Sequence, residues 1–113
     1  MPLQLYTMNI KFDKKYLSEL YYEGKCSEKK YRFQPNVVMK YKRRIDILND
    51  APCIEALYNI NSLHYEILKG TKKGLSSIRV NDQYRIEFEV SETEDDEVVI
   101  SICTIIELSN HYK

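Results

Sequence analysis

The sequence predicts an α+β domain in which an N-terminal strand and two helices pack on a largely antiparallel sheet of about four strands, and three observations carry that reading. Apolar residues recur every second position near the N-terminus, every third or fourth from Lys14 to Leu48, and every second again after Asn61. Chain breakers stand where the period changes, at Gly24, Pro35 and the run Asn49-Asp50-Ala51-Pro52. The length of 113 residues supports one hydrophobic core, hence a single domain over 1–113.

Each element follows from local pattern. Leu3 to Phe12 alternates, with Tyr6, Met8, Ile10 and Phe12 on one side, which predicts a strand. Asp13 is placed to cap the helix that begins at Lys14, carries Tyr16, Leu17, Leu20 and Tyr21 at helical spacing, and stops at Gly24. A second helix starts at Pro35, suited to a first turn, and presents Val38, Tyr41, Ile45 and Leu48 on one stripe. Lys40, Lys42, Arg43 and Arg44 fall mostly off that stripe, and Cys53 to Ile60 adds a short helical turn. Leu63, Tyr65 and Ile67 then alternate with His64, Glu66 and Leu68 as a strand, and Gly70 to Gly74 forms a loop. Ser76, Ile78 and Val80 open the next strand, and Asn81-Asp82-Gln83 makes a tight turn. Tyr84, Ile86, Phe88 and Val90 form the core face of the following strand, with Arg85, Glu87 and Glu89 outward. An acidic loop from Glu92 to Glu97 leads into a β-branched strand over Val98 to Ile106.

The formal net charge is zero, yet the charges are divided. Through Ile86 there are 16 Lys/Arg and 9 Asp/Glu, a balance of +7; from Glu87 onward 1 Lys faces 8 Asp/Glu, a balance of −7. Because exposed charges act over roughly 8–10 Å, the two parts present different surfaces. No stretch approaches the ~18 apolar residues of a membrane span, and Met1-Pro2-Leu3-Gln4 lacks a secretory pattern, which predicts a soluble cytoplasmic protein with no membrane partner. Cys26, Cys53 and Cys103 are odd in number and widely spaced, so neither a disulfide framework nor a zinc site is indicated, and with His64 and His111 as the only histidines no metal site assembles.

Two groups of residues could carry chemistry. Lys69, Lys72 and Lys73 in the loop, with Arg79 and Arg85 on strands joined by a short turn, could place cations and guanidinium forks against phosphate oxygens. The plainer reading is a solvated sheet face, since each arginine alternates with core residues. The tail His111-Tyr112-Lys113 offers proton donors and acceptors or is simply a frayed end. His64 reads as a surface residue on the side of Glu66, and the tyrosines of the helical region read as half-buried packing rather than base-stacking platforms.

From Leu68-Lys69-Gly70 through Ser77-Ile78-Arg79-Val80-Asn81-Asp82-Gln83-Tyr84-Arg85-Ile86-Glu87-Phe88, the sequence closely resembles the LKG…SIRINDQYRI(x)F signature of HigB-type toxins of the RelE superfamily. The resemblance implies the RelE-like fold and a ribosome-dependent, metal-free messenger-RNA endonuclease without cofactors. It also implies an inhibitory HigA-like helix-turn-helix antitoxin. Lys69 matches the family's catalytic loop lysine, Arg79 and Arg85 its phosphate-holding sheet arginines, and His111 and Tyr112 its C-terminal proton-transfer pair. Lys72, Lys73 and His64 join the RNA-binding surface. The chain departs from the pattern in three ways. Glu66 stands where the family has a histidine, so the base is Glu66, His64 or neither; the tail reads His-Tyr rather than Tyr-His; and the protein is neutral where such toxins are basic. A second class fits these departures: a catalytically weak or inactive RelE-fold module that binds its antitoxin and contributes to operon repression. The charge division further predicts that the acidic hairpin beginning at Glu87 projects away from the RNA-facing cations.

Overall fold

Strand β1 (Leu5–Phe12) is followed by helix α1 (Lys15–Glu23) and helix α2 (Pro35–Asp50), then by β2 (Glu66–Ile67), β3 (Ser76–Arg79), β4 (Tyr84–Glu94) and β5 (Val98–Asn110). The computed structural model describes residues 5–94 and 97–110. The strands form one five-stranded sheet in the order β1-β5-β4-β3-β2, with β1 parallel to β5 and the remaining pairs antiparallel. The expected α+β class and largely antiparallel sheet are therefore present, with five strands rather than about four. The strand expected from the alternation of Leu63 to Leu68 is present as β2, shortened to the two residues that pair with Ser76 and Ser77.

The helices form as their sequences dictate. Pro35 occupies the first turn of α2, and Ala51, held extended ahead of Pro52, ends it. Gly24 closes α1 in the left-handed region at φ 76°, where a side chain would be strained. Asp13 does not cap α1: its amide still bonds the carbonyl of Ile105 at 2.9 Å, so parallel pairing holds it in the sheet and Lys14 takes the cap position without a side-chain bond.

Three other boundaries differ from the sequence reading. Leu63 lies in a 3-10 turn (Asn61–Leu63), and His64 turns the chain at φ 46° and ψ 54°, so neither belongs to the strand containing Glu66. β4 continues through Glu92 to Glu94, and β5 runs past Ile106 to Asn110, because cross-strand bonds extend the ladder where charge suggested a loop. The short turn expected between Cys53 and Ile60 is present at Ile54–Leu57.

Both helices cover the same sheet face. Leu17, Leu20, Tyr41, Ile45 and Leu48 pack with Met8, Ile78, Ile86, Phe88, Cys103 and Ile105 in one core. Burial of Leu-sized side chains is worth about 1.5–3 kcal/mol each, so this face dominates stability. Alternation along β5 buries Val99, Ser101, Cys103 and Ile105 and leaves Val98, Ile100, Ile102 and Thr104 partly open on the opposite face. Two tyrosines anchor the core with their hydroxyls: Tyr41 donates to the Leu17 carbonyl at 2.8 Å, and the Tyr16 oxygen accepts from the Leu108 amide at 3.2 Å. A hydrogen bond from Tyr21 to the Asp46 carboxylate ties α1 to α2.

Two predictions follow from this packing. Burial pushes the Tyr16 hydroxyl up to about 12 and raises that of Tyr41 further. Below pH 10 both are neutral whether the chain is folded or not; above it the unfolded chain ionises first, binds fewer protons, and gains on the folded state. Stability measured by denaturant melts is therefore expected to fall from pH 10 upward, Tyr16 alone removing about 2–3 kcal/mol by pH 12; a flat profile across that range would contradict the burial. At His64, removing a side chain from the left-handed region offsets the entropy of an added glycine, so His64→Gly should leave stability unchanged or raise it by up to about 1 kcal/mol. A clear loss in the same melts would show that the imidazole itself is needed.

Candidate active site on the open sheet face

The turn between β3 and β4 explains the residue types in Arg79-Val80-Asn81-Asp82-Gln83-Tyr84-Arg85. The Asn81 side-chain oxygen accepts the Gln83 and Tyr84 amides at 2.9 and 2.7 Å, and the Val80 amide donates to the Tyr84 carbonyl at 3.0 Å, so side chain and backbone close the turn together. Val80 is buried in the core. Arg79 and Arg85 are direct partners across the two strands, so both guanidinium groups leave the sheet on the same face. Two like charges in that register are tolerated because each has its own oxygens. Arg79 pairs with the Asp82 carboxylate, whereas Arg85 Nη1 donates to the carbonyls of Asn81 at 2.6 Å and Tyr84 at 3.1 Å. Arg44 of α2 bonds the Arg79 carbonyl through Nε at 3.0 Å, and its burial beside Arg79 lowers its pKa from the usual arginine value.

The neighbouring row of the sheet is acidic. Glu66 pairs with Ser77, Ser77 with Glu87, and Glu87 with Glu107, placing three carboxylates and a hydroxyl on one line across four strands. Glu87 is only 5% exposed, and its Oε2 accepts from Lys72 Nζ at 2.6 Å and from Ser109 Oγ at 3.0 Å. A buried carboxylate without such partners would cost several kcal/mol. Lys72 reaches it from the 3-10 turn Gly70–Lys72, which starts at Gly70 in the left-handed region (φ 68°). A register shift at Glu87/Phe88 leaves one extra residue on β5, bending the sheet at this point.

These rows enclose a cleft of about 220 Å³ lined by Glu66, Lys72, Arg85, Glu87, Ser109 and Asn110. Of the residues anticipated from sequence, the structure brings Glu66, Lys72 and Arg85 to this cleft. Arg79 stands beside Arg85 on the same face but does not line it. Lys69 and Lys73 flank the 3-10 turn as exposed side chains, and exposed His64 does not line the cleft either, its turned backbone separating it from the Glu66 strand face. His111 and Tyr112 lie outside the described residues; Asn110, immediately before them, lines the cleft. Sequence reasoning missed Glu87 and Ser109. Glu87 was assigned to the acidic hairpin pointing away from the cations, and here it is corrected to the floor of the cation cleft. The available signal was its two-residue spacing from Arg85, which puts both on one strand face. Farther along the same strand the acids do run away: Glu94 is nine residues along β4 from Arg85, about 30 Å at 3.3 Å per residue.

A wider cleft of about 480 Å³ at the free edge of β1, between Phe12, Tyr21 and Tyr22, has Lys11 as its cation and holds none of the anticipated residues. Among the described residues, no group of three or more His, Cys, Asp or Glu is arranged to hold a metal ion, and no helix is long and apolar enough to cross a membrane.

Comparison with known proteins agrees with this architecture. The family described as the RelE-like toxin of the type II toxin-antitoxin system HigB matches residues 10–102. A YoeB/ParE toxin from Agrobacterium tumefaciens shares the fold, with a TM-score of 0.56 at 18% identity, covering 93% of this chain and 100% of its own. The YoeB-YefM complex from Staphylococcus aureus aligns with a TM-score of 0.46 at 20% identity, over 93% of this chain and 98% of that one. No curated protein sequence matches the chain. With the family pattern running from β1 into β5, over the two helices and the arginine turn, the chain belongs to the HigB-like family, the RelE-like toxins of type II toxin–antitoxin systems.

Proposed function

We propose that this toxin is a metal-independent endoribonuclease that cuts messenger RNA on the ribosome and is silenced by a HigA-like helix-turn-helix antitoxin. One observation carries the reading: a carboxylate (Glu66) and two cations (Arg85 and Lys72) converge on a cleft whose edge is Asn110, directly ahead of His111 and Tyr112. RNA cleavage by its own 2′-hydroxyl requires a base, positive charge at the phosphate, and an acid for the leaving oxygen. Glu66 takes the 2′-hydroxyl proton as the O2′–P bond forms. Arg85 and Lys72 hold the non-bridging oxygens as charge accumulates. The P–O5′ bond then breaks, and His111 or Tyr112 protonates the departing O5′, leaving a 2′,3′-cyclic phosphate and a 5′-hydroxyl. Arg79, Lys69, Lys73 and His64 bind the message around this centre.

The carboxylate next to Lys72 is not a competing base in this scheme. Glu87 already accepts from Lys72 and Ser109 and is buried, whereas Glu66 is exposed. Glu87 holds Lys72 over the cleft.

Three outcomes test the proposal. Primer extension on message bound to purified ribosomes should reveal toxin-dependent cuts, with cleavage slower by roughly 10²–10³ in Arg85→Ala and 10²–10⁴ in Glu66→Gln, at unchanged circular dichroism. Glu66→Gln cutting at the wild-type rate would remove Glu66 from the base role. A folded wild-type toxin that binds its antitoxin but yields no cuts under any message would instead identify the antitoxin-binding, non-catalytic module.

A further inference from the structure

The cleft at Glu66 does not end at Asn110. Lys72, Ser109 and Asn110 also line a second cavity of about 440 Å³, which runs between the end of β5 and the segment around the 3-10 turn Lys29–Tyr31. Its rim carries Lys30, Arg32, Lys72 and the acid Glu107, with Lys30 also 4.0 Å from the Glu28 carboxylate and Lys72 bound to Glu87, and its walls include Phe33 and Tyr84. Arg32, Phe33 and Tyr84 in turn line a third cavity of about 450 Å³, bordered by the amides of Gln34, Asn36 and Gln83. Each adjacent pair thus shares three lining residues, and the three cavities in series are treated as one groove.

The groove is built rather than incidental. Tyr31 lies flat on Tyr16, with ring centres 3.7 Å apart and planes within 3° of parallel, and Tyr16 is held by the Leu108 amide. Phe33 meets Tyr84 edge-on at 5.4 Å, and the Tyr84 amide is bound by Asn81. Aromatic walls that are already ordered accept a flat ring at a lower entropic cost than mobile ones. Cations along a groove of this kind suit a phosphodiester backbone, while aromatic faces and side-chain amides suit bases.

We infer that this groove binds the single-stranded RNA flanking the cleaved bond, with Lys30 and Arg32 on its phosphates and a base against the Phe33–Tyr84 wall. The inference rests on the nuclease reading and extends it from the cleavage point to a substrate tract that determines how much of the message the toxin grips. Continuity through Lys72, Ser109 and Asn110, the exposed side chains of Lys30 and Arg32 and the aromatic wall beside them select this occupant.

Binding of labelled toxin to ribosomes programmed with 2′-O-methyl message, which cannot be cut, gives a test independent of cleavage. Messages are compared at full length and trimmed next to the target position on the 5′ or the 3′ side. For wild type, one of the trims should raise the half-saturating toxin concentration about tenfold, through lost phosphate and stacking contacts. The Lys30→Ala/Arg32→Ala variant, altered at two exposed positions, should bind the full-length message about tenfold more weakly and lose nothing more on that trim. A variant that is weakened equally on full and trimmed messages, or a wild type indifferent to both trims, would overturn the inference. A wild type that shows the trim dependence yet never cuts would refute the nuclease reading and leave the RNA groove standing.

Discussion

The fold depends on β5 being bonded along both edges, in parallel to β1 and antiparallel to β4. A parallel pair cannot be closed by a tight turn, so the chain leaving β1 must travel across one sheet face before it returns, and α1 and α2 are that crossing. The helices bring Leu17, Leu20, Tyr41 and Leu48 over this face and leave the other face open. The final strand therefore joins the first strand to the hairpin, and its last turn-free residues, Ser109 and Asn110, reach the cleft. Damage to β5 would reach the core and the site together.

On the open face, the sheet register decides what chemistry is adjacent. An acidic row of Glu66, Ser77, Glu87 and Glu107 lies beside a row containing Arg79, Arg85 and Ser109. Neither row would be stable as an unpaired set of charges at close spacing. Lys72 and Ser109 satisfy Glu87, Asp82 satisfies Arg79, and backbone carbonyls of the turn satisfy part of Arg85. The result is a site whose supporting charges are neutralised internally while Glu66 and the outer side of Arg85 remain available. Ordering Lys72 through a buried partner also removes much of the entropy a flexible lysine would lose on meeting a phosphate.

This arrangement reconciles zero net charge with the anionic substrate proposed for the cleft. Glu92 and Glu94 lie at the far end of β4, beyond the screening length from Arg85. Glu87, although part of the same acidic stretch in sequence, acts locally as a partner for a cation. Net charge is a poor guide here because the field at a cleft is set by its nearest charges.

Much of the architecture was legible in sequence because it rests on local physics. Period changes marked strands and helices, Pro35 and Gly24 marked helix ends, and Asn81 marked a turn that its own side chain closes. The string from Leu68 to Phe88 also carried the resemblance to the family. The parts that were not legible depend on long-range pairing. The alternation from Leu63 to Leu68 marked a strand, but only Glu66 and Ile67 form one, because β3 offers Ser76 and Ser77 as partners to those two alone. His64 looked like a strand neighbour of Glu66 until a left-handed backbone turned it aside. Glu87 looked outward-facing because alternation reports which face a residue takes and not whether that face is covered. The sequence by itself determined the element order, the α+β class and the cation motif, all of which are set within a few residues of chain. Only the tertiary structure decided that Lys72, Glu87 and Ser109, from a loop and two strands, meet beside Glu66 and Arg85, because that meeting requires sheet register, which no local pattern encodes.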